Sequence, residues 1–122
     1  MITGYIDEDF VPLIRLFVHG TQGQFHEIEA VFDTGYNSYL TIPPALIEAL
    51  GLPYKGEQEV MLADGKIHTA LTYYGTVKTD KTLVNVEIEA AEGIPIAGMR
   101  LFDGYRAAMD IETNGSLSLE EK

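Results

Sequence analysis

The residues best placed to do chemistry are Asp33-Thr34-Gly35. The carboxylate ends an apolar run, Ala30-Val31-Phe32, where a merely solvated charge is out of place. A carboxylate in such a setting suits general acid or base work. Taken alone, the tripeptide reads as an ordinary turn, since Asp and Gly favour turns and Thr bonds locally. Its surroundings separate the two readings. The chain resumes through Tyr39-Leu40-Thr41-Ile42 and then enters a helix at Pro43-Pro44. Further on, Asp64-Gly65 accepts positive φ and favours a tight hairpin, one suited to lie over a cleft as a flap. Near the far end, Ile94-Pro95-Ile96-Ala97-Gly98 is a second apolar strand closed by glycine and followed by a short helical piece. Strand, loop and helix thus occur twice, a weak internal echo of one unit in two halves.

Other chemistry finds less support. His19, His26 and His68 are far apart, with no HxxxH or HExxH spacing, and read as surface or strand-paired histidines rather than metal ligands. Ser38 lacks the flanking glycines of a nucleophile elbow. No glycine pattern matches a phosphate-binding loop. Asp7-Glu8-Asp9 reads as a solvated turn between the first two strands, and Glu120-Glu121-Lys122 as a frayed tail.

The elements that must position Asp33 are mostly strands. Leu13 to His19 and Phe25 to Phe32 flank a Gly-bounded turn and form a hairpin, with Ile28, Ala30 and Phe32 on one face. The one convincing helix starts at Pro43-Pro44, carries Leu46, Ile47 and Leu50 as a stripe, and stops at Gly51 ahead of Pro53. Glu59 to Ala63 and Lys66 to Tyr74 flank the Asp64-Gly65 turn. Thr76 to Lys78 and Leu83 to Ile88 follow, the latter alternating Leu83, Asn85 and Glu87 against Val84, Val86 and Ile88. Ile94 to Ala97 is a strand, Gly98 to Tyr105 holds a helical turn or two, and Ala107 to Ile111 pairs with Ser116 to Leu119. The class is mainly β, with one or two short helices, in one domain spanning 1–122.

Composition narrows the function. With 122 residues, 46% of them hydrophobic, the chain folds around a modest core. Its net charge of −11, from 19 acidic against 8 basic residues, repels phosphate backbones and anionic lipid, so neither nucleic acid nor a membrane is an expected partner. The absence of cysteine removes disulfides and thiolate chemistry. No stretch approaches the ~20 apolar residues of a membrane helix. Met1-Ile2-Thr3-Gly4-Tyr5 lacks the basic start of an export signal, so the default expectation is a cytoplasmic protein.

Taken in order, these motifs resemble the retropepsin-like (retroviral-type) aspartic proteases, in particular small bacterial single-domain members. The resemblance rests on Val31 through Pro43, on Leu46 through Leu52, on Leu62-Ala63-Asp64-Gly65, and on Ile94 through Leu101, with Met1 to Val18 also similar. It implies a closed β-barrel with a flap hairpin, and hydrolysis of peptide or protein substrates without metal or organic cofactor.

Carboxylate-driven peptide hydrolysis needs two acids, one ionised to draw a proton from water and one protonated to donate to the carbonyl oxygen. Two carboxylates about 3 Å apart cannot both ionise, so the pair shares one proton. This chain has one Asp-Thr-Gly, and its internal echo offers Ala97-Gly98 with no acid. The second carboxylate must come from another copy, which calls for a two-fold homodimer. By the resemblance, Asp33 is catalytic and holds the water. Thr34 reaches across the two-fold axis, and Gly35 lets backbone amides approach the acids. Ala63, Asp64 and Gly65 form the flap, and Gly98 lets the second strand pass behind the loop. Tyr36 departs from the small residue usual in retroviral enzymes.

Two other readings compete. One is a weakly active or inactive peptide-binding or dimerisation module on the same fold. The other is an unrelated small ligand-binding β-barrel, which predicts no pairing of Asp33 loops.

Overall fold

The computed structural model describes residues 1–61 and 64–122, with Val60 described by its backbone alone. Ten strands form one sheet: β1 Ile2–Ile6, β2 Pro12–His19, β3 Phe25–Asp33, β4 Leu40–Ile42, β5 Tyr54–Met61, β6 Ile67–Lys78, β7 Leu83–Ala90, β8 Ile96–Gly98, β9 Tyr105–Met109 and β10 Ser116–Glu121. One helix, α1, spans Pro44–Leu50, and a 3₁₀ turn spans Met99–Phe102. The class is mainly β, as expected.

Six strands close a ring that is nearly a barrel, in the order β6, β7, β4, β8, β3, β2 and back to β6. Closure comes from β2 against β6, through Phe17↔Lys78, Val18↔Val77 and His19↔Thr76. Period-2 alternation explains what fills the ring, because successive side chains point to opposite faces. Ile14, Leu16 and Val18 of β2, Ile28, Ala30 and Phe32 of β3, and Val86 and Ile88 of β7 are all buried. Leu40 and Ile42 of β4, Ala97 of β8 and Ile47 and Leu50 of α1 join the same core. Phe32 meets Phe102 edge to face, 5.6 Å between ring centres, which docks the 3₁₀ turn onto the site-bearing strand.

Helix α1 ends as its sequence dictates. Gly51 takes a left-handed conformation (φ 62, ψ 36). Its N–H and that of Leu52 reach the Glu48 and Ile47 carbonyls. Asp7 Oδ1 accepts from the N–H groups of Asp9 and Val11, so the first acidic cluster is a self-bonded turn between β1 and β2.

Two expectations need correction. Glu120-Glu121-Lys122 is not frayed: Glu120 and Glu121 pair with Arg106 and Tyr105 across β9, and Lys122 N–H bonds the Gly104 carbonyl. Gly75 does not divide two strands, since β6 runs unbroken from Ile67 to Lys78. A Cβ at Gly75 would lie 2.4 Å from Ile88 Cδ1, so glycine there serves close packing rather than a turn. Among the described residues, no helix is long and apolar enough to cross a membrane.

Candidate active site

Asp33 is the last residue of β3, and β3 runs parallel to β8 with Val31, Phe32 and Asp33 facing Ile96, Ala97 and Gly98. The apolar side chains of both strands bury into the ring, which fixes where each strand ends and so where the carboxylate emerges. Asp33 is half-buried, while Thr34 and Gly35 are exposed at the turn that follows. Gly35 N–H donates to Asp33 Oδ1 at 2.8 Å, and Tyr36 N–H donates to the Asp33 carbonyl at 3.2 Å. A Cβ at Gly35 would press to 3.2 Å from that same carboxylate oxygen.

The loop after Asp33 is clamped by its carbonyls. Met99 N–H donates to the Tyr36 carbonyl at 2.9 Å, Arg100 N–H to Ser38 at 3.3 Å and Gly98 N–H to Tyr39 at 2.9 Å. The Arg100 side chain adds Nε to the Asn37 carbonyl at 3.2 Å. Four consecutive carbonyls are therefore captured by three consecutive residues. Gly98 is where the two backbones meet: a Cβ there would lie 2.2 Å from the Ser38 carbonyl oxygen and 2.6 Å from Tyr36 Cδ2. Below the loop, Thr41 Oγ1 accepts from Ile96 N–H at 3.1 Å and ties β4 to β8.

The Tyr36 ring packs against Gly98. Its hydroxyl is buried and, among the described residues, makes no well-formed hydrogen bond, though the Glu89 and Ser38 side chains lie close to it. Burial first, and then the nearby Glu89 carboxylate, hold the phenol well above its ordinary pKa. Glu89 is itself buried, at the β7 position facing Thr41 on one side and Thr72 on the other.

The hairpin of β5 and β6 extends beyond the ring. Glu57 through Met61 pair with Leu71 through Ile67, whereas β7 pairs with β6 only from Thr72 onward. A two-stranded arm results, with Met61, Ile67 and Leu71 exposed along it. Asp64 and Gly65 turn beyond it, Gly65 at φ +82 and Asp64 Oδ1 accepting from Lys66 N–H at 2.9 Å. Ala63, expected beside them in the flap, lies outside the described residues.

A concavity of about 510 Å³ is lined by His19, Tyr39, Tyr74, Asn85 and Glu87 among others, and Asp33 is not in its wall. The structure thus brings Asp33, Thr34, Gly35 and Gly98 to one end of the β3–β8 pair and sets Asp64 and Gly65 on the arm. His19, His26 and His68 sit on β2, β3 and β6, and among the described residues no three metal-ligating side chains gather.

A family model described as aspartyl protease matches residues 18–104, a span from β2 to the residue before β9 that holds the Asp33 loop, the arm and Gly98. The chain belongs to this aspartyl protease family. No curated protein and no solved structure gives a significant match. The ring of six strands with one short helix is consistent with the retropepsin fold, and membership makes a peptidase the activity the family implies.

Sequence reasoning missed three contributors: Met99 and Arg100 as the clamp on the loop carbonyls, and Glu89 as a buried acid beneath it. The first two had a signal in the closing run Gly98-Met99-Arg100. Glu89 had none, because its strand pattern places it on the outward face with Glu87.

Proposed function

We propose that this chain is an aspartic endopeptidase that works as a homodimer, each subunit giving one Asp33 to a shared acid pair. One observation carries the reading. Asp33 emerges half-exposed at the end of a buried strand, braced by Gly35 N–H, and opposite it stands Gly98 rather than a second acid. Half of the required pair is present and held.

In the dimer the two Asp33 carboxylates share one proton and hold a water between them. The ionised acid takes a proton from the water as its oxygen attacks the peptide carbonyl, and the protonated acid donates to the carbonyl oxygen. Collapse of the tetrahedral species, with protonation of the nitrogen, releases a new carboxyl end and a new amine, and the pair regains its single proton. Thr34 bonds the neighbouring copy in this reading, which its exposure at the turn supports. The arm ending in Asp64 and Gly65 closes over an extended substrate and excludes water. Exposed Met61, Ile67, Ile94 and Met99 favour apolar peptide segments.

A module that binds peptides without cutting them is the second reading, motivated by Tyr36 beside the motif. Incubation of the native protein and of Asp33→Asn with a mixed peptide library, read by mass spectrometry, separates the two. Cleavage by the native protein and none by the variant is expected. Cleavage that survives in Asp33→Asn removes Asp33 from the chemistry and the proposal with it, and binding without cleavage from acid to neutral pH establishes the module.

A further inference from the structure

The Arg100 side chain clamps the Asp33 loop through one nitrogen alone. Nε donates to the Asn37 carbonyl at 3.2 Å, and among the described residues the other donors of the guanidinium make no hydrogen bond. Arg100 is exposed and belongs to none of the ion pairs among those residues. In a chain of net charge −11, where acids outnumber bases 19 to 8, an arginine that no acid claims calls for a reason.

Arg100 lines a concavity of about 360 Å³ with Asn37, Ser38, Tyr39, Gln58 and Glu87. Asn37, Ser38 and Tyr39 belong to the Asp33 loop, Gln58 to β5 of the arm and Glu87 to β7. The space therefore lies between loop and arm, on the path of a peptide held by both. Asn37 follows Asp33 by four residues, so at about 3.5 Å per residue the concavity begins within ~14 Å of it. An extended substrate covers that distance in about four residues.

The acceptors in this wall are largely engaged. The Asn37, Ser38 and Tyr39 carbonyls accept from Arg100 Nε, Arg100 N–H and Gly98 N–H. The carboxylate in the wall, Glu87, is paired with Lys55. What stays open is one positive charge, with the exposed amides of Asn37 and Gln58 beside it.

We infer that this concavity takes an acidic side chain of the substrate against the Arg100 guanidinium, making the peptidase selective for glutamate or aspartate within a few residues of the bond it cuts. A guanidinium fork matches a carboxylate with two parallel N–H···O bonds, and with Nε on Asn37 the two Nη atoms face the substrate. A substrate lysine would meet Arg100 as a like charge and find Glu87 already balanced.

The inference rests on the peptidase reading, and its test keeps the two apart. A peptide that the native protein cleaves is remade with glutamate, glutamine or lysine at each of about four positions on either side of the cut. Assay at about pH 6 keeps glutamate ionised, and homocysteic acid, a sulfonate, replaces it if cleavage runs only in stronger acid. At one position kcat/KM should favour glutamate over glutamine about fivefold or more, with lysine poorest. Arg100→Ala also loosens the loop and slows every peptide, but a receptor alone predicts that the glutamate-to-glutamine ratio falls close to one. Arg100→Lys keeps the charge without the fork and should restore part of the ratio. Arg100→Glu should reverse the order and favour lysine. Equal rates for glutamate and glutamine at every position would overturn the inference. So would a ratio that survives in Arg100→Ala, since Arg100 would then only clamp the loop. If the native protein cuts nothing, the peptidase reading has failed. Apolar peptides carrying one glutamate or one glutamine are then compared by fluorescence anisotropy. Threefold tighter binding of glutamate, lost in Arg100→Ala, supports the receptor, and equal binding refutes it.

Discussion

Asp33 and Gly98 face each other as direct partners where β3 runs parallel to β8. The residues that follow each of them then interlock, the carbonyls from Tyr36 to Tyr39 accepting from Gly98, Met99 and Arg100. The carboxylate is thus positioned by backbone geometry, with the hydrophobic ring behind it fixing both strands. Catalytic geometry tolerates little slack, and a displacement of 1 Å can cost about 100-fold in rate.

Gly98→Ala tests this contact. The added methyl would meet the Ser38 and Tyr36 carbonyl oxygens at 2.2 and 2.8 Å, atoms already fixed by hydrogen bonds. Overpacking of this kind costs about 1–3 kcal/mol. Denaturant titration should show that loss, together with a fall in peptide cleavage beyond what the unfolded fraction explains. Unchanged stability would mean that the two backbones can separate freely.

Arg100→Ala removes the one side-chain link in the clamp, the Nε bond to the Asn37 carbonyl. The residue is exposed, so stability should fall by only about 1 kcal/mol. Turnover should fall more, by about tenfold, because the loop carrying Asp33 loosens. Steady-state kinetics beside thermal unfolding read both effects. A kcat unchanged within error would show that the backbone bonds alone hold the loop.

Tyr36 predicts a pH signature. Burial and the Glu89 carboxylate raise its pKa, so the folded state keeps the phenol neutral at pH values where the unfolded chain ionises it. A pKa raised on folding gives stability that is whole below the unfolded value of about 10 and is lost as pH rises above it. Native protein should therefore lose stability above pH 10 more steeply than Tyr36→Phe, as followed by urea unfolding. At neutral pH, Tyr36→Phe should match or slightly exceed the native stability, since it deletes a buried hydroxyl without a partner. Parallel stability curves for the two proteins above pH 10 would contradict this placement of the phenol.

Much of this was legible in the residues. The order of Asp33-Thr34-Gly35, the Pro43-Pro44 helix start and the Gly98 closure points to the family, and alternation in β2, β3 and β7 picks out the core. What was not legible arises from distant parts of the chain. Glu89 repeats the outward pattern of Asn85 and Glu87, yet it is buried, close to the phenol of Tyr36 far away in sequence. Gly75 looks like a break until Ile88 is seen filling the space a Cβ would need. β5 begins at Tyr54, earlier than its polar run Lys55-Gly56-Glu57-Gln58-Glu59 suggests, because an edge strand has solvent along one side and need not be apolar. Glu120 and Glu121 look like a solvated tail for the same reason, yet their backbones pair with β9.

Asp33→Asn should fold and assemble as the native protein does, because an amide oxygen can still accept from Gly35 N–H. Cleavage should fall by about 1,000-fold or more, since general acid–base work is lost at both positions of the pair. Thermal unfolding and sedimentation at micromolar concentration should show native-like stability and a dimer for both proteins. An active native protein that stays monomeric with substrate present would contradict the shared pair.

Mixing the two proteins gives the sharpest test of the claim that one site needs an Asp33 from each subunit. Native and Asp33→Asn chains are unfolded together, refolded at constant total concentration in varied ratios, and assayed with one peptide. If only native–native pairs are active, activity follows the square of the native fraction, and an equal mixture retains about one quarter of full activity. A straight line, with about half the activity left in the equal mixture, would show that each chain carries a complete site and would contradict the account.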